Sequence, residues 1–339
     1  MTAVSIVLPV RNGEASLARA IESCLGQTFE DFELFVVDDH SVDASREIAE
    51  GFSAKDARVR VLETPRPGGL VTALQIGCEA ARGEFIARMD ADDFSYPERL
   101  EKQVGLLRAR PELAGCGCLV RIAGHGGGAP DAGFLRYQDW INSLVEPDAI
   151  RRERFVESPL VHPSVVLRRE AFEQAGGYCD PGWAEDYDLW LRMMDAGMRF
   201  AKVPKVLFDW QDGPKRLTRT DPRYSERNFL RAKAHYLARL PRIRERGVMI
   251  SGAGPIGKMI AKFLKDEGVR VHGFLDLSPR RVGRSKVGFP VHHAEDVPAA
   301  AAESPIQLSA VGRAGRRDAV REWMKEAGYT EGVDFFCVA

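Results

Sequence analysis

The chain of 339 residues has no apolar run approaching the ~18 residues that a membrane-spanning helix needs. Met1-Thr2-Ala3-Val4 leads straight into a strand pattern, without the charged n-region and long apolar h-region of a signal peptide. Six cysteines are too few to read as a disulfide framework at this length. Cys116 and Cys118 are spaced for neither a redox pair nor a zinc knuckle. The expectation is therefore buried thiols in a cytoplasmic protein. Net charge is only −1, so no global field points to nucleic acid. No Ser or Cys triad stands out, and no Tyr-x-x-x-Lys pair for hydride transfer lies near the glycine turn of the C-terminal part.

What is present is strand–helix alternation. Ser5–Val10, Phe32–Val37, Val59–Leu62 and Glu84–Met89 read as strands. Helical faces intervene at Leu17–Leu25 and Leu70–Ala81, with Ser41 or Asp43 placed to cap another. Pro97 opens a helix to about Arg110. Further on, Gly124–Pro130 reads as a loop, Leu135–Val145 as a helix, and Val161–Leu167 as a strand interrupted by Pro163. This order predicts an α/β protein with a doubly wound sheet. A prior of ~150 residues per domain gives about two domains. The boundaries expected are 1–212 for the first domain, 213–246 for a basic surface helix and linker, and 247–339 for a small Rossmann-like α/β domain. The basic stretch also leaves peripheral membrane contact as an alternative.

Three acidic clusters fall where such a fold builds a site: Asp38-Asp39, Asp90-Ala91-Asp92-Asp93 and Glu185-Asp186. The first two close apolar runs, which puts them at one edge of the sheet, where open α/β folds bind ligands. Carboxylates gathered there call for a divalent cation, and magnesium sites typically combine one or two carboxylates with substrate phosphates. A carboxylate at the strand edge can accept from a base N–H, and one at a helix start can deprotonate a hydroxyl. Each cluster alone also fits helix capping or a solvated turn; the three in this order are harder to explain so. His162, before Pro163, is a candidate ligand contact or a structural histidine. Trp183 is a candidate stacking platform, whereas Trp190 shares a helical face with Met193 and Met194 and reads as core.

The stretches Ser5–Glu14, Val37–Asp43, Gly83–Asp93 and Gly176-Gly177-Tyr178 with Glu185–Arg192 resemble family 2 glycosyltransferases of GT-A fold over the first ~210 residues. The resemblance implies an inverting sugar transfer from a nucleotide-diphosphate donor, UDP-sugar favoured, with Mg²⁺ or Mn²⁺. It implies that Pro9 and Arg11 line the nucleoside pocket and that Asp38 or Asp39 contacts the base. Asp90 serves the donor nucleotide, Asp92 the metal, and Asp186 is the base, with Glu185 and His162 further donor or acceptor contacts and Trp183 a platform for an acceptor sugar. Arg11 stands where the family often has Tyr, and Gln75 where Asn is common. No Q-x-x-R-W element of processive synthases follows Asp186, which favours single additions. The acceptor class stays open among glycans, lipid-linked molecules and proteins, as does homo-oligomerisation. The family's habit is surface polysaccharide or glycoconjugate assembly.

The C-terminal part carries Gly252-Ala253-Gly254-Pro255-Ile256-Gly257 between a strand and a helix, and Asp276 closes the next strand. That is the context of a dinucleotide fingerprint, so Gly252, Gly254, Gly257 and Asp276 form a candidate ligand site, with NAD one of several ligands. Two other readings follow. One is an NAD-dependent sugar-nucleotide oxidoreductase; the other is a non-catalytic sugar-nucleotide-binding scaffold.

Overall fold

The computed structural model describes residues 2–124, 132–213, 216–312 and 315–339. Most of the expected glycine loop, 125–130, lies outside them. The chain divides into two compact units. The first comprises Met1–Arg151, Pro159–Pro181 and Asp188–Thr220. The second comprises Arg152–Ser158, Gly182–Tyr187 and Asp221–Ala339.

The first unit opens with β1 (Val4–Val10), α1 (Leu17–Leu25), β2 (Phe32–Asp38), α2 (Ser45–Ser53), β3 (Val59–Glu63), α3 (Gly69–Ala80) and β4 (Phe85–Arg88). Next come β5 (Phe94–Ser95), α4 (Arg99–Ala109), β6 (Leu113–Ala123), α5 (Ala132–Ser143) and α6 (Pro147–Glu153). It closes with β7 (Val166–Arg168), α7 (Arg169–Gln174), α8 (Glu185–Asp195, of which Glu185–Tyr187 are grouped in the second unit), β8 (Arg199–Gln211) and α9 (Leu217–Thr220). One eight-stranded sheet runs β3-β2-β1-β4-β7-β6-β8-β5. Strands β3, β2, β1 and β4 are parallel, while β7 is antiparallel to both neighbours. All seven residues of β1 and of β2 are buried, as expected of near-continuous apolar strands covered on both faces. Gly77 lets α3 lie close on β1, because a Cβ there would meet a Val7 methyl at 2.4 Å.

The expected strand over 161–167 is corrected. His162–Ser164 form a 3-10 turn, and only Val166–Arg168 pair as strand. Pro163 has no N–H to give to a ladder, so the chain turns before it pairs. Asp43 takes the Ser45 N–H at 3.0 Å, although α2 begins after Ala44 with no side-chain cap.

The second unit contains α10 (Glu226–Arg239), α11 (Pro241–Arg246), β9 (Val248–Ser251), α12 (Pro255–Asp266), β10 (Val271–Asp276), β11 (Ser285–Lys286), β12 (Phe289–His293), β13 (Ile306–Ser309), α13 (Arg316–Glu326) and β14 (Phe335–Cys337). Its sheet runs β11-β12-β10-β9-β13-β14. All pairs are parallel except β11 with β12. The order of connection reverses between β9 and β13. Gly257 sits where a Cβ would strike the Gly252 carbonyl oxygen at 1.9 Å, so only glycine allows this approach of α12 to the turn.

The stretch expected as a surface helix differs. α10 buries Leu230, Ala234 and Leu237 along one face, and residues from Asp221 onward belong to the second unit. Apolar residues at i, i+4 and i+7 form this stripe, which the many arginines between them mask. Those arginines meet groups of their own unit: Arg227 lies over Phe263 at 5.3 Å, and Arg246 pairs with Asp334 at 3.0 Å. Among the described residues, no helix is long and apolar enough to cross a membrane.

Candidate active site

Strand register brings the first two acidic clusters to one edge. Asp38 is level with Val10 at the end of β1, and Arg88 with Val7. Pro9 is buried in β1, and Arg11 follows as a half-exposed side chain. β2 and β4 flank β1, so Arg11, Asp38-Asp39 and Asp90 leave three adjacent parallel strands at the same end.

Asp38 is buried and accepts from the Ser41 N–H at 3.3 Å. Asp39 does more structural work. Its Oδ1 accepts from Thr64 Oγ1 and Gly68 N, both at 2.8 Å, and its Oδ2 from Gly69 N at 3.0 Å and Arg11 Nη1 at 3.4 Å. Burial pushes this carboxyl up, but those donors together hold it below its ordinary value. The strand end is thereby tied to the start of α3, with Gly69 at φ +74° making the turn.

The second cluster is concentrated. Ligand oxygens of Asp90, Asp92 and Asp93 all lie within 4.8 Å of one another. Buried Arg88 pairs with Asp90 at 2.6 Å. Burial and the Asp90 charge push Asp92 above its ordinary value, with Arg216 pulling the other way. Asp93 is 1% exposed and is pushed far higher by burial, Asp90 and Asp92. Its Oδ1 accepts from Gln211 N at 2.8 Å, whereas its Oδ2 has no hydrogen-bond partner among the described residues. A buried carboxylate oxygen without a donor is costly. An oxygen-seeking divalent cation at this point satisfies it and relieves the mutual repulsion of the three acids, so the residues fit Mg²⁺ or Mn²⁺.

Residues that the motifs do not mark build this edge too. Arg216 donates to the Gln211 carbonyl at 2.6 Å and lies over Trp210 at 4.3 Å. Gln211 therefore holds Asp93 with its N–H and Arg216 with its C=O. Arg99 is fully buried in α4 and donates to Pro163 O at 2.8 Å and Arg88 O at 3.2 Å. One turn on, Gln103 donates to Ser164 O at 2.8 Å. Together they fix the His162 turn against the end of β4. Only the i, i+4 spacing of Arg99 and Gln103 was visible in advance, and on a helix that usually marks a solvated face.

His162 is 8% exposed, with Nε2 at 2.7 Å from the Tyr178 hydroxyl. Burial and the Arg88 charge push its imidazole well below the ordinary value, so it is neutral at pH 7. Gln75 reaches the Tyr178 carbonyl at 2.9 Å. Trp190 is fully buried, as its helical spacing predicts.

The third cluster opens α8 and is grouped in the second unit. Glu185 is 1% exposed and accepts from the Tyr224 hydroxyl at 2.7 Å. Asp186 is partly exposed, and its Oδ1 accepts from the Tyr187 N–H at 2.7 Å. Trp183 packs against His235 at 5.5 Å, with Arg231 over its ring at 5.6 Å. In the same unit Gly252 adopts φ +103°, and nothing crowds the position of a Cβ on Gly254. Asp276 accepts from Ala253 N at 2.9 Å and Ser278 N at 2.8 Å, and pairs with Arg281 at 3.0 Å.

The acidic clusters of the first unit thus meet at one edge of a largely parallel sheet, the place where open α/β folds bind ligands, and the architecture is that of a GT-A fold. Residues 5–176 match the model of glycosyl transferase family 2, and the chain belongs to that family. It is 30% identical over 233 residues to the putative glycosyltransferase EpsE of Bacillus subtilis, covering 67% of this chain and 79% of that one. It is 29% identical over 213 residues to the amylovoran biosynthesis glycosyltransferase AmsE of Erwinia amylovora, covering 62% and 76%. The fold is similar to that of S. aureus TarS in complex with UDP-GlcNAc, with TM-score 0.52 and 18% identity over 77% of this chain and 71% of that one. The chain is a glycosyltransferase.

Proposed function

We propose that the chain transfers a sugar with inversion from a nucleoside-diphosphate donor, UDP-sugar favoured, to a hydroxyl of a glycan, lipid-linked or protein acceptor. The observation that carries the reading is the Asp90-Asp92-Asp93 cluster with its donorless Asp93 oxygen. Asp92 and Asp93 would hold the divalent cation. A cation there neutralises charge that builds on a departing diphosphate, a contribution of several kcal/mol. Pro9 and Arg11 line the nucleoside pocket, with the Arg11 guanidinium in place of the family's more usual ring. Asp38 or Asp39 takes the base N–H. Asp39 already receives four donors, which leaves Asp38 the less occupied acceptor.

Inversion needs one in-line displacement. The acceptor oxygen attacks the anomeric carbon from one side while the diphosphate leaves from the other, so one base suffices. We assign that role to Asp186, from its place in the acidic motif that opens α8; a positioned base contributes about 10²–10⁴ in rate. The name of the AmsE relative supports a place in surface polysaccharide or glycoconjugate synthesis. The test is transfer or donor hydrolysis with a panel of UDP-, GDP- and dTDP-sugars, with and without Mn²⁺. Metal-dependent turnover that falls at least a hundredfold in Asp92→Ala and in Asp186→Asn is expected; full activity in either variant would refute its assigned role.

For the second unit we propose a Rossmann-like ligand domain without hydride transfer. Its parallel order, reversing between β9 and β13, supports a crevice at the Gly252–Gly257 turn. Against NAD stands Asp276, whose carboxylate is engaged by Ala253, Ser278 and Arg281 rather than open to a ribose. Saturable NAD(H) binding, abolished by Gly254→Trp, would restore the oxidoreductase reading.

A further inference from the structure

Asp186 stands between two side chains that are each locked in place. On one side Glu185 is 1% exposed and takes the Tyr224 hydroxyl at 2.7 Å. On the other, Tyr187 is fully buried, donates to Arg154 O at 2.6 Å, and packs its ring on Phe229 at 5.3 Å. Tyr224 is itself held. It ends a 3-10 turn, Pro222–Tyr224, whose preceding Asp221 accepts from Arg223 N at 2.8 Å. Ser225 then caps α10 directly behind it. All of these residues belong to the second unit, and Tyr224 lies beyond the span that matches the family model.

We propose that Tyr224 is a positioning residue for the transfer reaction: its hydroxyl anchors the Glu185 carboxylate and so fixes the backbone and side chain of Asp186 in the first turn of α8. The inference rests on Asp186 being the base. Burial and the charges of Glu185 and Asp186 keep the phenol protonated, so it acts as a donor throughout the working pH range. A buried carboxylate from which a donor is removed tends to take up a proton or move. Either change displaces the next residue along the helix turn. Small displacements of a catalytic group cost rate out of proportion to their size, whereas none of the residues assigned to the nucleotide lies on this turn.

The test uses the full-length chain, Mn²⁺ and UDP-glucose, UDP-galactose and UDP-GlcNAc, with UDP release as the readout. Tyr224→Phe, Glu185→Gln and the double variant are compared with wild type for kcat, donor KM and melting temperature. The expected result is a kcat about tenfold lower in each single variant, with donor KM unchanged, and a double variant no slower than the singles. Wild-type kcat in a folded Tyr224→Phe chain overturns the inference. So do losses that multiply to about a hundredfold in the double variant, because the two side chains then act separately. A kcat loss that only tracks the folded fraction of both single variants overturns it as well. If a folded Asp186→Asn chain releases UDP as fast as wild type, the base assignment falls and the inference with it.

Discussion

Asp39 is the residue whose chemistry is most fully accounted for by its neighbours. Two N–H groups from the start of α3, a threonine hydroxyl and Arg11 converge on one carboxylate. Asp39→Ala leaves those donors without an acceptor and should cost about 1–3 kcal/mol of unfolding free energy. The sign of its pH dependence follows from its depressed value. The ion stabilises the folded state above the ordinary carboxylate value of about 3.9, and that contribution is lost as pH falls through the lower folded value. The stability gap between wild type and Asp39→Asn, read from chemical denaturation, should therefore close below pH 4. Lys202 gives the same sign at higher pH for a different reason: here the charged form is the one that folding penalises. It is 3% exposed, donates to Ile141 O at 2.5 Å, and burial lowers its value to about 7. Its unfolded form binds a proton up to about pH 10.4, so folding releases that proton above pH 7. Stability relative to Lys202→Met should rise between pH 7 and 9; a flat difference would contradict this. Residues of this kind were partly legible in the sequence. The acidic pairs announced themselves by following apolar runs. The roles of Asp93 and Arg216 did not, because both are set by Gln211, 118 residues from Asp93 along the chain.

At the level of elements, the β/α alternation from Val4 to Arg88 was readable because β1, β2 and β4 are mostly apolar runs and the helices between carry 3.6-residue stripes. The reading failed where one local signal hid another. Pro163 converted an apparent strand into a turn, and arginines obscured the apolar face of α10. The glycine turn before α12 provides a sharp test of element geometry. Gly257→Ala forces a Cβ to within 1.9 Å of the Gly252 carbonyl oxygen, whereas Gly254, at φ −77°, has nothing within 4 Å of its Cβ position. Thermal denaturation should show Gly257→Ala strongly destabilised, by several degrees or more, with Gly254→Ala within about 0.5 kcal/mol of wild type. Equal effects at the two positions would mean that α12 does not pack on the turn in this way.

For the whole molecule, the family match stops at residue 176, before the Glu185-Asp186 motif. The structure carries that motif, with residues 152–158, into the second unit. Composition and periodicity gave no hint of this. Lys233 reaches both Val156 O at 2.7 Å and Val338 O at 3.1 Å, and Glu153 meets Arg321 at 2.5 Å. Such contacts join residues 77, 105 and 168 positions apart, and no local pattern encodes them. The acidic edge, by contrast, was legible as chemistry before its geometry was known, because hard cations and diphosphates narrow the side chains that can serve them. Calorimetric titration of UDP into the full-length chain, with Mn²⁺ and with EDTA, tests this most directly. The account predicts that Mn²⁺ tightens UDP binding at least tenfold in wild type and that the gain disappears in Asp92→Ala and Asp93→Asn. UDP binding equally well with Mn²⁺ or EDTA, or a gain that survives both substitutions, would contradict it.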